Sequence, residues 1–185
     1  PMLTALLEFA ATESIRTLYE YQRQQRKLLK SEQLVANKAG IRLTQVATLH
    51  ARAFLARTAL EETEQFCKQL KPVLADVLTQ LAELFVLELC LSSLGHILTT
   101  YPLNARQVDQ LQARYEHLLA NLRVNAVAVV DGFDFNDRVL GSTLGCYDGR
   151  VYERLMAEAR KSPLNQESVN STFHTHLKPL MQGKL

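Results

Sequence analysis

Three glycines, Gly141, Gly145 and Gly149, recur every fourth residue. A glycine-rich turn can cradle phosphate only where it joins a strand to a helix, and no strand pattern precedes this one. Small residues at that spacing also allow close packing on a helix. Ser142, Tyr147 and Asp148 between them point equally to helix ends and turns. Asp131, Asp134 and Asp137 lie three apart. On one helix they would share a face, as metal ligands might need. A calcium loop requires a D-x-D-x-D-G run with a closing Glu, and neither is present. Caps and surface charge are the expected roles.

His174 and His176 form an H-x-H pair. Residues two apart on a helix point about 200° from each other, so the pair cannot chelate one ion. His176 is instead expected on a packed face. His50, His96 and His117 stand alone, and a lone His beside an apolar stripe reads as a hydrogen-bonded core residue. Glu61, Glu62 and Glu64 read as solvated helix surface. Cys67, Cys90 and Cys146 are odd in number and lack C-x-x-C or zinc spacing, which predicts three reduced thiols. No catalytic residue and no metal ligand is expected within this chain.

The elements that would position these groups are helices. Leu3, Leu7, Ala10, Ile15, Leu18 and Leu29 predict a first helix over 3–29. Its basic end, Arg23, Arg26, Lys27 and Lys30, suits the negative pole of a helix dipole; a phosphate contact is the lesser reading. Leu43, Val46, Leu49, Ala53, Ala56 and Leu60 predict a second helix over 43–70, ended by Lys71-Pro72. The third, over 73–98, is apolar almost all round after Leu84 and belongs at the centre of a bundle. Tyr101-Pro102 ends it. The fourth starts at the N-cap residue Asn104 and runs to about Val130. Shorter helices follow over 150–160, capped by Asp148, and over 166–180, where Val169, Phe173, His176, Leu177 and Leu180 share a side. The expectation is an all-α antiparallel bundle of about five to seven helices.

Composition is ordinary for a globular domain, with 47% apolar and 22% charged residues. The net charge of +2 gives no reason to expect nucleic acid as a partner. The apolar run over 84–98 is interrupted by Glu88, Ser92, Ser93 and His96, so no membrane span is expected. The first turn carries no basic segment ahead of an apolar run, so no signal peptide is expected there. A start at Pro1 followed by Met2 is what a fragment or processed piece would show.

Three stretches carry a resemblance: the run Leu122-Arg-Val-Asn-Ala-Val-Ala-Val-Val-Asp-Gly-Phe-Asp-Phe135, the run Leu140-Gly-Ser-Thr-Leu-Gly-Cys-Tyr-Asp-Gly-Arg-Val-Tyr-Glu153, and Ser162-Pro163-Leu164-Asn165 followed by Phe173, His176, Leu177, Lys178 and Pro179. In order and spacing, over about 60 residues, they are similar to the end of peroxisomal acyl-CoA oxidases. The resemblance implies the C-terminal helical domain of such an enzyme, over 1–180, with a flexible tail over 181–185. It implies FAD as cofactor of the full enzyme. It implies desaturation of a fatty acyl-CoA to the trans-2-enoyl-CoA, a carboxylate taking the α-proton while a hydride passes to the flavin, and reoxidation by oxygen to hydrogen peroxide. The catalytic Glu lies earlier in the family's chain, so no catalytic residue carries over, and flavin contacts stay unassigned. The implied partners are the rest of the oxidase chain, a second subunit in a homodimer, the acyl-CoA substrate and a peroxisomal import receptor. Cys146 departs from the basic residue expected between Gly and Tyr. Gly183-Lys184-Leu185 resembles the S-K-L peroxisomal address, with Gly183 in place of the small hydroxyl residue. The alternative is a non-enzymatic helical interaction module that retains an oxidase tail.

Overall fold

The structure is a computed structural model that describes residues 2–29, 31–167 and 169–182. The chain divides into two compact units, residues 1–127 and 128–185. Among the described residues it is helical throughout, with no strand.

In the first unit, α1 (Met2–Leu28) buries Leu6, Leu7, Ala10, Ala11 and Leu18. α2 (Glu32–Cys67) buries Val35, Ala39, Leu49, Ala53 and Ala56. The beginning of α1 and the later part of α2 share one cluster of side chains, so the pair is antiparallel. Alanines on both sides let the two backbones approach closely. The start of α2 lies eleven residues before the predicted Leu43. The stripe there consists of only Val35 and Ala39, too short to register beside Asn37 and Gly40.

α3 (Pro72–Ser92) begins with Pro at its first turn, where a missing N–H costs nothing. Val86 and Cys90 enter the cluster formed with α1 and α2, whereas Leu87 packs with Leu111 and Leu118 of α5. α3 is thus the shared wall of two clusters, the central place its composition predicts. The predicted single helix over 73–98 is in fact two. α4 (Leu94–Thr100) leaves α3 at a 68° bend. Ser93 at the bend is buried, and its Oγ accepts a hydrogen bond from Arg52 Nη1 at 2.8 Å. The same nitrogen donates to the Ser92 carbonyl at 3.4 Å. A cation at this place suits the negative end of α3. The bend carries Ile97 back into the α1–α2 cluster, where it is fully buried.

α5 (Ala105–Leu122) opens as predicted at Asn104. Asn104 Oδ1 accepts from Gln107 N and Gln107 Oε1 accepts from Asn104 N, both at 2.9 Å, a reciprocal capping box. Leu111, Leu118 and Leu122 are buried, and full burial of a leucine such as Leu118 stabilises by about 2 kcal/mol. The predicted run to Val130 is interrupted by a 3₁₀ turn, Arg123–Asn125, before α6 (Ala126–Asp131).

The second unit continues from the end of α6 through α7 (Asp137–Leu140), α8 (Val151–Lys161), a 3₁₀ turn (Pro163–Asn165), a π-helical turn (Phe173–Leu177) and α9 (Lys178–Met181). The last predicted helix, over 166–180, is broken up. Pro179 has no N–H to give. One residue before it, Lys178 N donates five residues back, to Phe173 O. No described residue of this unit is buried.

Candidate functional site

The segment from 125 to 153 is built by short-range bonds that turn its apolar side chains outward. At the end of α6, Gly132 N donates to Ala128 O at 3.1 Å. Asp134 then adopts φ +52°, the left-handed region that a short polar side chain tolerates. On either side of it the Phe133 and Phe135 rings stack, 6.2 Å apart and 7° from parallel. Asn136 caps α7 by accepting from Val139 N at 2.9 Å. Gly141 ends α7 at φ +57°, and its N–H donates to Asp137 O at 3.1 Å. Gly149 supplies a second left-handed turn at φ +69°. Two of the three evenly spaced glycines therefore sit where a side chain would strain the backbone, at a helix end and a turn.

Asp148 fixes the entry to α8. Its Oδ1 accepts from Arg150 N at 3.1 Å and from Arg154 Nε at 3.2 Å, and its Oδ2 from Arg154 Nη2 at 2.6 Å. The Arg154 hydrogen bond, aided by the Arg150 amide, holds the Asp148 carboxyl below its usual range. Asp137 Oδ2 accepts from Tyr147 N at 3.4 Å, linking the start of α7 to the turn before α8. Asp131, Asp134 and Asp137 thus lie on three different elements, the end of α6, a turn and the start of α7, and share no helix face. Among the described residues no three His, Cys, Asp or Glu side chains are placed to hold a metal ion.

Between these elements lies an open hollow of about 810 Å³, lined by Phe133, Phe135, Leu140 and Tyr147 with Asp131, Asp137 and Arg138 among them. Tyr147 is 87% exposed, Tyr152 85% and Leu144 72%. These are large apolar groups exposed at the surface.

The histidines depart from expectation. His50, His96, His117 and His176 are all exposed, on the outer faces of their helices, rather than in a core. His117 Nε2 and Asn121 Nδ2 lie 3.0 Å apart, and the His174 ring meets Phe173 edge-on at 5.4 Å. The three cysteines are free thiols, and Cys90 is buried. Burial pushes its thiol pKa up to about 12. Gly183, Lys184 and Leu185 lie outside the described residues.

The first unit has a cleft of about 560 Å³ with a floor of Leu3, Leu6, Leu60, Leu87, Leu103 and Leu111. Arg114 and Glu83 stand at its edge, joined by two hydrogen bonds. Sequence spacing could not have paired them, since 31 residues separate them. Leu60 and Thr79 also line an adjoining cleft of about 530 Å³ that reaches Arg57, Glu61, Glu64 and Cys67.

A family model described as acyl-CoA oxidase matches residues 1–182. The chain belongs to the acyl-CoA oxidase family. It is 42% identical over 178 residues to acyl-coenzyme A oxidase 1 of Drosophila melanogaster, covering 96% of this chain and 27% of that protein. It is 39% identical over 156 residues to peroxisomal acyl-coenzyme A oxidase 1 of Rattus norvegicus, covering 84% of this chain and 23% of that protein. Among solved structures, acyl-CoA oxidase 1 of Arabidopsis thaliana superposes with a TM-score of 0.75 at 26% identity, over 99% of this chain and 27% of that one. Acyl-CoA oxidase-2 of Caenorhabditis elegans, solved with FAD, ascaroside-CoA and ATP, superposes with a TM-score of 0.73 at 28% identity, over 98% of this chain and 27% of that one. The chain spans about a quarter of the length of these relatives. The all-helical fold and the family expected from the residues between Leu122 and Pro179 both hold.

Proposed function

We propose that this chain is the C-terminal helical domain, over residues 1–180 with a tail over 181–185, of an FAD-dependent acyl-CoA oxidase. The whole enzyme converts a fatty acyl-CoA to the trans-2-enoyl-CoA and reduces oxygen to hydrogen peroxide, within peroxisomal fatty acid β-oxidation. The observation that carries this reading is the family match across residues 1–182. The relatives' peroxisomal names and the FAD-bound neighbour support compartment and cofactor.

The leucine-floored cleft of the first unit is a poor match for a flavin pyrophosphate. The arginine at its edge, Arg114, is already paired with Glu83. As the family resemblance implies, the catalytic carboxylate and most flavin contacts are assigned to the rest of the enzyme, and this domain's part is structural. It offers the exposed aromatic face of residues 133–152 to the catalytic body and to a second subunit of a homodimer. Gly183-Lys184-Leu185 is proposed as the tripeptide read by the peroxisomal import receptor.

The test compares the full-length protein with the isolated chain. The full-length protein should show a flavin absorption spectrum and release peroxide when given acyl-CoA. The 185-residue chain alone should do neither. A full-length protein without flavin would favour the non-enzymatic interaction module, a reading to which α8, with no buried residue, also lends itself.

A further inference from the structure

The leucine-floored cleft of the first unit becomes acidic at one end. There Glu61 and Glu64 line the adjoining cleft, and among the described residues neither has a salt-bridge partner. Arg57 beside them is engaged with Glu8 at 3.4 Å. An occupant complementary to this groove has a narrow apolar stripe and a basic end. α8 is a segment of that kind. Val151, Tyr152, Leu155, Met156 and Ala159 fall on one stripe at helical spacing, and no residue of α8 is buried. Its last turn carries Arg160 and Lys161. Lys161 is held by Glu158 at 2.6 Å, whereas Arg160 has no such partner among the described residues. Eleven residues make a helix about 16 Å long, short enough to lie along a groove between helices.

We propose that the groove between α1, α2, α3 and α5 of one copy receives α8 of a second copy, with Leu155 and Met156 on the leucine floor and Arg160 against Glu61 and Glu64. The proposal rests on the homodimer reading and names the surfaces that would make the pair. Burial of the apolar stripe supplies the attraction, and the charges fix the direction in which the helix lies.

The experiment uses the full-length protein, with its dimer dissociation constant measured by light scattering on dilution. Leu155→Asp is expected to weaken the dimer about tenfold or more. Glu64→Lys and Arg160→Glu should each weaken it by a few-fold, the range of an exposed charge pair, and their combination should recover the wild-type value. A synthetic peptide of residues 150–162 should bind in trans and dissociate the dimer, which tests the groove without altering the protein. A wild-type dimer that ignores Leu155→Asp, the charge exchange and the peptide overturns the α8 assignment and leaves the homodimer reading standing. A wild-type monomer overturns both. Peptide binding abolished by Glu64→Lys supports the assignment.

Discussion

Arg114 on α5 grips Glu83 on α3 with two parallel hydrogen bonds, Nε to Oε1 at 2.7 Å and Nη2 to Oε2 at 2.6 Å. The fork fixes the angle between the two helices beside the Leu87–Leu111–Leu118 cluster. Both side chains are partly exposed, so water screens the pair. A double-mutant cycle with Arg114→Met and Glu83→Gln should give a coupling of about 1 kcal/mol by denaturant unfolding. A coupling near zero would show that the leucine packing sets the helix angle unaided.

Ile97→Ala should destabilise far more, by about 3 kcal/mol, because Ile97 is fully buried in the cluster that α1 and α2 build. Hydrogen exchange should quicken across Leu94–Thr100. An exposed neighbour makes the control: Leu98→Ala, at 44% exposure, should cost under about 1 kcal/mol.

Gly141→Ala places a side chain at φ +57° and should cost about 1 kcal/mol, loosening the turn between α7 and Ser142. Gly145→Ala should be milder, since Gly145 is not in the left-handed region. Its nearest neighbour, Leu140 Cδ1, would stand at an ordinary 3.5 Å from the new methyl. Proteolysis within residues 136–149 would report the difference between the two variants.

The Asp148 clamp should be sensitive to acid. The Arg154 hydrogen bond, with the Arg150 amide behind it, lowers the carboxyl pKa in the folded protein. Its stabilising contribution is therefore present above the unfolded value, about 3.9, and is lost as pH falls through the lower, folded value. A carboxyl NMR titration of Asp148 should show a midpoint below the model-peptide range, and Arg154→Met should raise it. A midpoint unmoved by that substitution would assign the shift to the backbone amide.

Cys90 should resist thiol reagents in the native protein. Burial raises its pKa to about 12 and its Sγ–H donates to Leu3 O at 3.5 Å. Cys67 and Cys146, both partly exposed, should be labelled first. Labelling of Cys90 at their rate would mean that α1 opens from α3 on the timescale of the reagent.

Helix positions were legible wherever a long stripe or a defined stop stood in the sequence. Asn104 announces the start of α5, and Lys71-Pro72 marks the boundary between α2 and α3. The break at Ser93 was not legible, because the residue that secures it, Arg52, lies 41 positions away on another helix. The histidines were misjudged for a related reason: spacing gives a helix face and does not say which face meets a neighbour. Residues 122–153 were legible as a family marker and not as a site. Their hydrogen bonds run to near neighbours, while their aromatic side chains are exposed.

The bend between α3 and α4 also changes how the greasiest part of the chain meets its surroundings. Taken as one straight rod, residues 72–100 would pass for a bilayer-spanning segment by length and composition. Folded at 68°, neither half is long and apolar enough to do so. The Arg52–Ser93 contact sits at that bend, and the apolar side chains on either side of it, Val86, Cys90 and Ile97, are spent on one cluster with α1 and α2.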